Sequence, residues 1–220
     1  RDQVAKVVGA SREDVVFTSG ATESNNLAIL GLAAEGERTG RKHLISTRIE
    51  HKAVLEPLEA LEKAGFQLTL LEVDDRGWIE PEALRAALRD DTLLVSVMHV
   101  NNETGVRQPI HEVAEILEDH PAYLHVDAAQ GFGKEIGPLT SQRLDLISIS
   151  GHKIYGPKGI GALIIRRRGY KRPPLAPLMH GGGQERGLRP GTIPVPLAVG
   201  LGEAARLALR DSHERARICR

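Results

Sequence analysis

The sequence predicts an α/β fold with a mostly parallel sheet covered by helices on both faces. Three observations predict it. Apolar runs of four to nine residues alternate along the chain with amphipathic runs of helical period. Several of the apolar runs do not alternate with polar residues, as suits strands buried on both faces. Polar residues gather just after these runs, where ligands bind in open α/β sheets.

The elements follow in order. The chain reads as helix from Arg1. Val15–Thr18 is a short buried strand, and 22–35 is one helix with Leu27, Leu30 and Ala34 on a face. His43–Thr47 is a strand. A helix over 53–64 spaces Leu55, Leu58 and Leu61 by three. Strand 67–73 precedes a helix over 81–88 that opens on Pro81, where the missing N–H costs nothing. Strand 92–100, helix 110–117, strand 123–126, strand 144–150 and strand Gly161–Ile165 complete the alternation. A helix over 198–209 closes it, within a helical stretch over 197–220. We expect residues 1–197 to form one large domain and 198–220 to begin a helical connection. Both ends read as cut from a longer protein.

Composition narrows the function. The 220 residues carry 29 Lys plus Arg against 29 Asp plus Glu, a net charge of zero that suggests no general nucleic-acid or membrane partner. Arg166, Arg167, Arg168, Lys171 and Arg172 form a local basic run, read as a solvated loop, with a contact for an acidic partner as the alternative. The single cysteine, Cys219, forbids an internal disulfide and fits a reducing compartment. No apolar run reaches the length of a membrane span. The glycines near Lys153 lack the spacing of a P-loop.

Five strand ends carry polar groups: Ser19-Gly20, Glu50-His51, Asn101-Asn102-Glu103, Asp127 and Gly151-His152-Lys153. A lysine at a buried strand end is a candidate for imine chemistry, although in a glycine-rich turn it also reads as a solvated lysine. Asp127 ends an apolar strand. It is either a helix cap or a buried charge awaiting a cation such as a protonated pyridine nitrogen. Small residues at 18–26 open a helix directly after a strand. Its free N–H groups favour a phosphate, and the Thr22 hydroxyl can add a hydrogen bond. The same residues also serve as an ordinary cap.

Together these residues carry a resemblance. The segments Phe17–Ser24, Glu50–Val54, Val100–Gly105, His125–Gln130, Ser150–Gly159 and His180–Gly187 stand in the order found in cysteine desulfurases, which this chain resembles over nearly its whole length. Those are fold-type I pyridoxal-phosphate enzymes of the class-V aminotransferase superfamily. Asp145–Leu163 and Gln184–Thr192 look similar to the desulfurases that supply sulfur for DNA phosphorothioation. The resemblance implies a three-layer α/β/α large domain and pyridoxal 5'-phosphate as cofactor, with Lys153 as the Schiff-base lysine. It implies that His51 stacks on the ring and shuttles protons, and that Asp127 pairs with the ring nitrogen. Gln130 would bond the phenolic oxygen, with Asn102 near that oxygen and the substrate carboxylate. Ala21, Thr22, Ser150 and His152 would hold the phosphate, and Thr192 would reach the phosphate of a second subunit.

The implied reaction converts L-cysteine to L-alanine, leaving sulfur as a persulfide on an enzyme thiol. The implied partners are a second copy of the chain and a sulfur-acceptor protein, in a cytoplasmic setting. That acceptor would serve iron–sulfur cluster assembly, tRNA thiolation or DNA phosphorothioation. No metal is expected. The resemblance places the nucleophilic cysteine and the carboxylate-binding arginine further downstream, so Cys219 is expected to be incidental. The isolated chain is expected to lack turnover. Competing readings are a selenocysteine lyase or another lyase of the superfamily, and a silent homologue acting as a binding partner.

Overall fold

The computed structural model describes residues 1–218; Cys219 lies outside the described residues. The strands are β1 (Val15–Thr18), β2 (His43–Thr47), β3 (Gln67–Leu71), β4 (Thr92–Met98), β5 (Tyr123–Asp127), β6 (Leu146–Ser150) and β7 (Gly161–Ile165). The helices are α1 (Asp2–Val7), α2 (Ala21–Leu30), α3 (Ala33–Thr39), α4 (Lys52–Lys63), α5 (Pro81–Ala87), α6 (Ile110–Ile116), α7 (Val195–Arg210) and α8 (Ser212–Ile218). The strands form one seven-stranded sheet in the order β1-β7-β6-β5-β4-β2-β3. Strands β2 to β6 run parallel, and β7 runs antiparallel to both β6 and β1. Consequently β1 points the same way as the parallel set.

Except for the edge strand β3, the apolar runs become buried strands because helices cover both faces. Successive side chains supply opposite cores. On β1, Val15 and Phe17 enter one core with Val4 of α1, Leu84 of α5, Val113 of α6 and Leu201 of α7. Val16 enters the other, with Leu27 of α2 and Val54 and Leu58 of α4. The same alternation runs along β7, where Ile164 joins the first core and Leu163 and Ile165 the second. Helix α7 begins at Val195, and its buried Leu201, Ala204 and Ala205 share the first core with α1. No helix among the described residues is long and apolar enough to cross a membrane.

Four expectations are corrected. The single helix over 22–35 is two, α2 and α3, interrupted at Gly31-Leu32. There Ala176 donates its N–H to the Gly31 carbonyl (2.8 Å), a contact from a remote segment that periodicity cannot show. Strand β4 stops at Met98, and Val100 instead bridges to Arg107. Strands β3 and β6 are shorter than their apolar runs. The basic run is not a solvated loop throughout. Arg166 is buried and donates to the carbonyls of Val8, Leu139 and Ser141. Arg168 pairs with buried Asp145 at 2.6 Å, and Arg172 pairs with Asp14 at 3.3 Å. Arg167 and Lys171 are exposed, as expected.

Candidate functional site

Because β1, β2, β4, β5 and β6 share a direction, their carboxyl ends share one edge of the sheet. A cavity of about 560 Å³ opens there. Nine of the ten predicted residues line it: Ala21, Thr22, His51, Asn102, Asp127, Gln130, Ser150, His152 and Lys153. The tenth, Thr192, is exposed on the segment before α7 and does not line this cavity.

One end is built from the start of α2. Gly20 caps the helix and has no side chain to satisfy the first-turn N–H groups, so these remain available to an anion. The Thr18 hydroxyl donates to the Gly20 carbonyl (3.0 Å) and lies 2.8 Å from the Ser24 hydroxyl, fixing the turn. Gly161, paired with both Thr18 and Ser150, allows the close approach. A Cβ on Gly161 would sit 2.6 Å from the Gly20 Cα. Glu23 also stands in this first turn, but it accepts from the Ser19 N–H (2.6 Å) and from Arg189 (2.8 Å). Burial opposes its charge, yet the hydrogen bonds from Arg189 and Ser19 prevail and hold its carboxyl below its ordinary value. On the facing loop the Ser150 hydroxyl lies 3.0 Å from His152 Nδ1.

The floor is Asp127, buried at the end of β5. Its Oδ1 accepts from the Ala129 N–H (2.9 Å) and its Oδ2 from the Asn25 amide (2.7 Å). It therefore caps a turn, as the simpler reading held, and it is also a buried charge. Both hydrogen-bond donors are neutral, and no ion pair reaches it among the described residues. Burial raises its pKa above the usual aspartate value, against the Ala129 and Asn25 hydrogen bonds and the charges of His51 and Lys153. Two residues back on the same strand face, His125 lies between the hydroxyls of Ser96 (2.8 Å) and Ser148 (2.9 Å). Burial pulls its pKa down to about 3, so this layer is neutral.

The walls carry His51 and Lys153. His51 is the N-cap of α4, and its Nδ1 accepts from the Ala53 N–H (3.0 Å). The neutral ring therefore carries its proton on Nε2. Lys153 sits on a single 3-10 turn, Gly151–Ile154, immediately after β6. Asn101 organises the loop after β4: its Oδ1 accepts from the N–H groups of Glu103 and Thr104, both at 2.9 Å, and so presents Asn102 to the cavity.

The segment leading to Thr192 is held under strain. Glu185 and Arg186 both have left-handed backbones, with φ of 50° and 60°. Glu185 is buried; it accepts from the Phe17 N–H (2.8 Å) and pairs with Arg1.

The structure adds three residues with no assigned role from sequence. Asn25 orients Asp127 from one turn inside α2, and its own Oδ1 is buried without a partner. Glu50 is buried beside Met98, whose N–H donates to its Oε1 at 2.7 Å. Its Oε2 has no partner, and burial, helped by Asp127, pushes its pKa up to about 8 despite the Met98 hydrogen bond. Lys158 lines the cavity from the return loop. Asn25 and Glu50 lie inside motifs that the sequence displays, but hydrophobic periodicity gives neither a partner.

The arrangement fits an elongated ligand with a phosphate at one end and a protonated aromatic nitrogen at the other. The helix start suits an anion, buried Asp127 suits a cation, and Lys153 stands in the same cavity. The cavity is of ordinary size for such a ligand.

Comparison with known proteins agrees. A family model for aminotransferase class-V matches residues 1–217. Cysteine desulfurase IscS of Ehrlichia chaffeensis is 53% identical over 208 residues, which are 94% of this chain and 50% of the relative. The mitochondrial cysteine desulfurase of Saccharomyces cerevisiae is 53% identical over 96% of this chain and 42% of its own. Among solved structures, DndA from Streptomyces lividans superposes with a TM-score of 0.94 and 57% identity, over 97% of this chain and 60% of that one. SspA in complex with cysteine gives 0.85 and 45%, over 93% of this chain and 58% of that one. The chain spans about half the length of the curated relatives it matches.

Proposed function

The chain belongs to the aminotransferase class-V family, and from that premise we propose that it is the pyridoxal-phosphate-holding core of a cysteine desulfurase. The observation that carries the reading is Asp127, a buried carboxylate whose donors are all neutral, in one cavity with Lys153 and the open start of α2. A buried carboxylate of this kind is costly unless a cation meets it. A protonated pyridine nitrogen is such a cation.

When bound, the cofactor supplies an electron sink for a bond broken at the substrate's α-carbon. This chain's residues do the rest. Lys153 would hold the cofactor covalently through Nζ, and its free amine would be able to carry a proton at the same atom. His51 offers a second proton site at Nε2, with its ring fixed by Ala53. Asp127 keeps the ring nitrogen protonated, and Asn25 keeps Asp127 in place. Gln130 and Asn102 serve the phenolic oxygen, and Asn102 also serves the substrate carboxylate. The N–H groups of Ala21 and Thr22, with Ser150 and His152, take the phosphate.

L-cysteine is the proposed substrate, supported by the names of the relatives and by the cysteine complex of SspA. The occurrence of nine predicted residues in one cavity favours an enzyme over a silent homologue. A homodimer is part of the proposal: Thr192, exposed and outside its own cavity, is free to serve a second subunit. So are a sulfur-acceptor protein, a cytoplasmic location, and a large domain over 1–197 with 198–220 beginning a connection. The phosphorothioation type rests on the segments Asp145–Leu163 and Gln184–Thr192.

The test is borohydride reduction followed by peptide mass spectrometry. The cofactor mass is expected on the peptide holding Lys153, and Lys153→Ala is expected to remove it. A reduced adduct elsewhere, or one that survives the substitution, would sink the reading.

A further inference from the structure

We infer that Lys158 is the fixed positive charge that neutralises the phosphate of the ligand in this cavity. The inference rests on the cofactor reading above and assigns a residue that reading leaves unused.

The basic side chains lining the cavity are His51, His152, Lys153 and Lys158. Three of them are committed. His51 spends Nδ1 on the Ala53 N–H, and His152 Nδ1 lies 3.0 Å from the Ser150 hydroxyl. Lys153 is the covalent attachment point, and an amine in that role cannot also serve as a counter-ion. Arg189 stands close by, but it is paired with Glu23. That pairing also cancels the one carboxylate in the first turn of α2. Lys153 and Lys158 both lack a hydrogen bond or ion pair among the described residues, and with Lys153 taken by its covalent role Lys158 is the lysine left over. A phosphate dianion held by helix N–H groups and hydrogen-bonding side chains keeps much of its charge uncompensated, whereas a lysine ammonium nearby offsets it.

The loop that presents Lys158 is rigid. Gly156 N–H donates to the Gly151 carbonyl (3.0 Å), and Gly151 N–H to the Ile160 carbonyl (2.9 Å). The chain thus folds back on the turn that bears Lys153. A Cβ on Gly151 would lie 2.9 Å from the Ile160 oxygen and 3.0 Å from the Pro157 oxygen. Pro157 itself is pressed against α7, where a Cβ on Gly200 would lie 2.5 Å from its Cγ. Tyr155, with φ of 65°, starts the return in a conformation that an aromatic residue rarely adopts. A loop tied back on itself leaves little backbone ordering to do when Lys158, exposed and lining the cavity, meets a ligand.

The experiment compares the intact protein with its Lys158→Gln and Lys158→Arg variants, using pyridoxal phosphate and pyridoxal as probes. Lys158→Gln is expected to weaken pyridoxal phosphate about tenfold or more, as loss of a charge-assisted contact does. Pyridoxal, which lacks the phosphate, should change by less than about twofold on the same scale. Lys158→Arg should restore phosphate-dependent binding. Equal losses for both probes, or no loss for either, overturn the assignment. If the parent shows no reducible adduct on Lys153, the cofactor reading fails. Inorganic phosphate titrated by calorimetry then decides Lys158 separately: weaker binding by Lys158→Gln supports it, and equal binding overturns it.

Discussion

Two buried aspartates on neighbouring strands have opposite surroundings. Asp127 ends β5 at the carboxyl edge of the sheet, and Asp145 precedes β6 at the opposite edge. Asp145 accepts from Arg143 (2.8 Å), from Arg168 twice at 2.6 Å, and from the Leu124 N–H (2.7 Å). Those guanidinium groups also bind the carbonyls of Leu117, His120 and Ala122. Asp127 has two neutral donors and no arginine. Compensated charge holds the fold together. Uncompensated charge, on the same sheet, is what the proposed cofactor would meet.

The same isosteric substitution at both positions should break that comparison if it is wrong. Asp145→Asn leaves two guanidinium groups without their carboxylate and should cost about 3–5 kcal/mol in denaturant unfolding. A loss no larger than that of an exposed pair would remove the distinction.

Glu50 gives the next largest effect, and it depends on pH. In the unfolded chain this carboxyl ionises near its ordinary value; in the folded chain it keeps its proton until about pH 8. Between those points the folded state binds the extra proton, so stability falls as pH rises and levels off above the folded value. Glu50→Gln has no proton to release. The stability difference, variant minus parent, should grow by on the order of 2–4 kcal/mol between about pH 5 and about pH 8. Parallel curves for parent and variant would mean that Glu50 is already ionised. His125 and His99, whose folded pKa values burial lowers to about 3 and about 4, act in the acid window instead and cancel in the difference.

Asp127→Asn should have the smallest effect on stability, within about 1 kcal/mol, because it removes a charge that burial already disfavours. The Asn25 amide can flip to present its oxygen to the new amide. Cofactor affinity should nonetheless fall. A large stability loss with cofactor binding intact would reverse the roles assigned to the two aspartates.

The sequence made the strands legible because a strand buried on both faces needs an unbroken apolar run. It made the cavity legible because chemistry gathers where parallel strands end. It hid what distant segments decide. The break at Gly31 depends on Ala176, and the burial of Arg166 depends on carbonyls at Val8, Leu139 and Ser141. Lys158 was visible as one lysine of a glycine-rich turn, but its approach to the cavity depends on the return of the loop onto Gly151. The roles of the ten predicted residues came from the family resemblance. The assembly of nine of them into one cavity was foreseeable from strand ends, and Thr192 was expected to serve a second subunit instead.

The pairing of β1 with β7 sets an order of assembly. Val15 lies opposite Ile164, and β1 has no other strand neighbour. The strand that aims α2 at the cavity is among the first parts of this chain to be synthesised, yet it finds its place only when a segment about 150 residues later exists. Closing so long a loop is slow relative to local pairing. A nascent chain therefore carries a helix start with no site to face until the lysine loop and β7 have emerged. The cavity at the carboxyl edge therefore cannot be complete before β7 has been made.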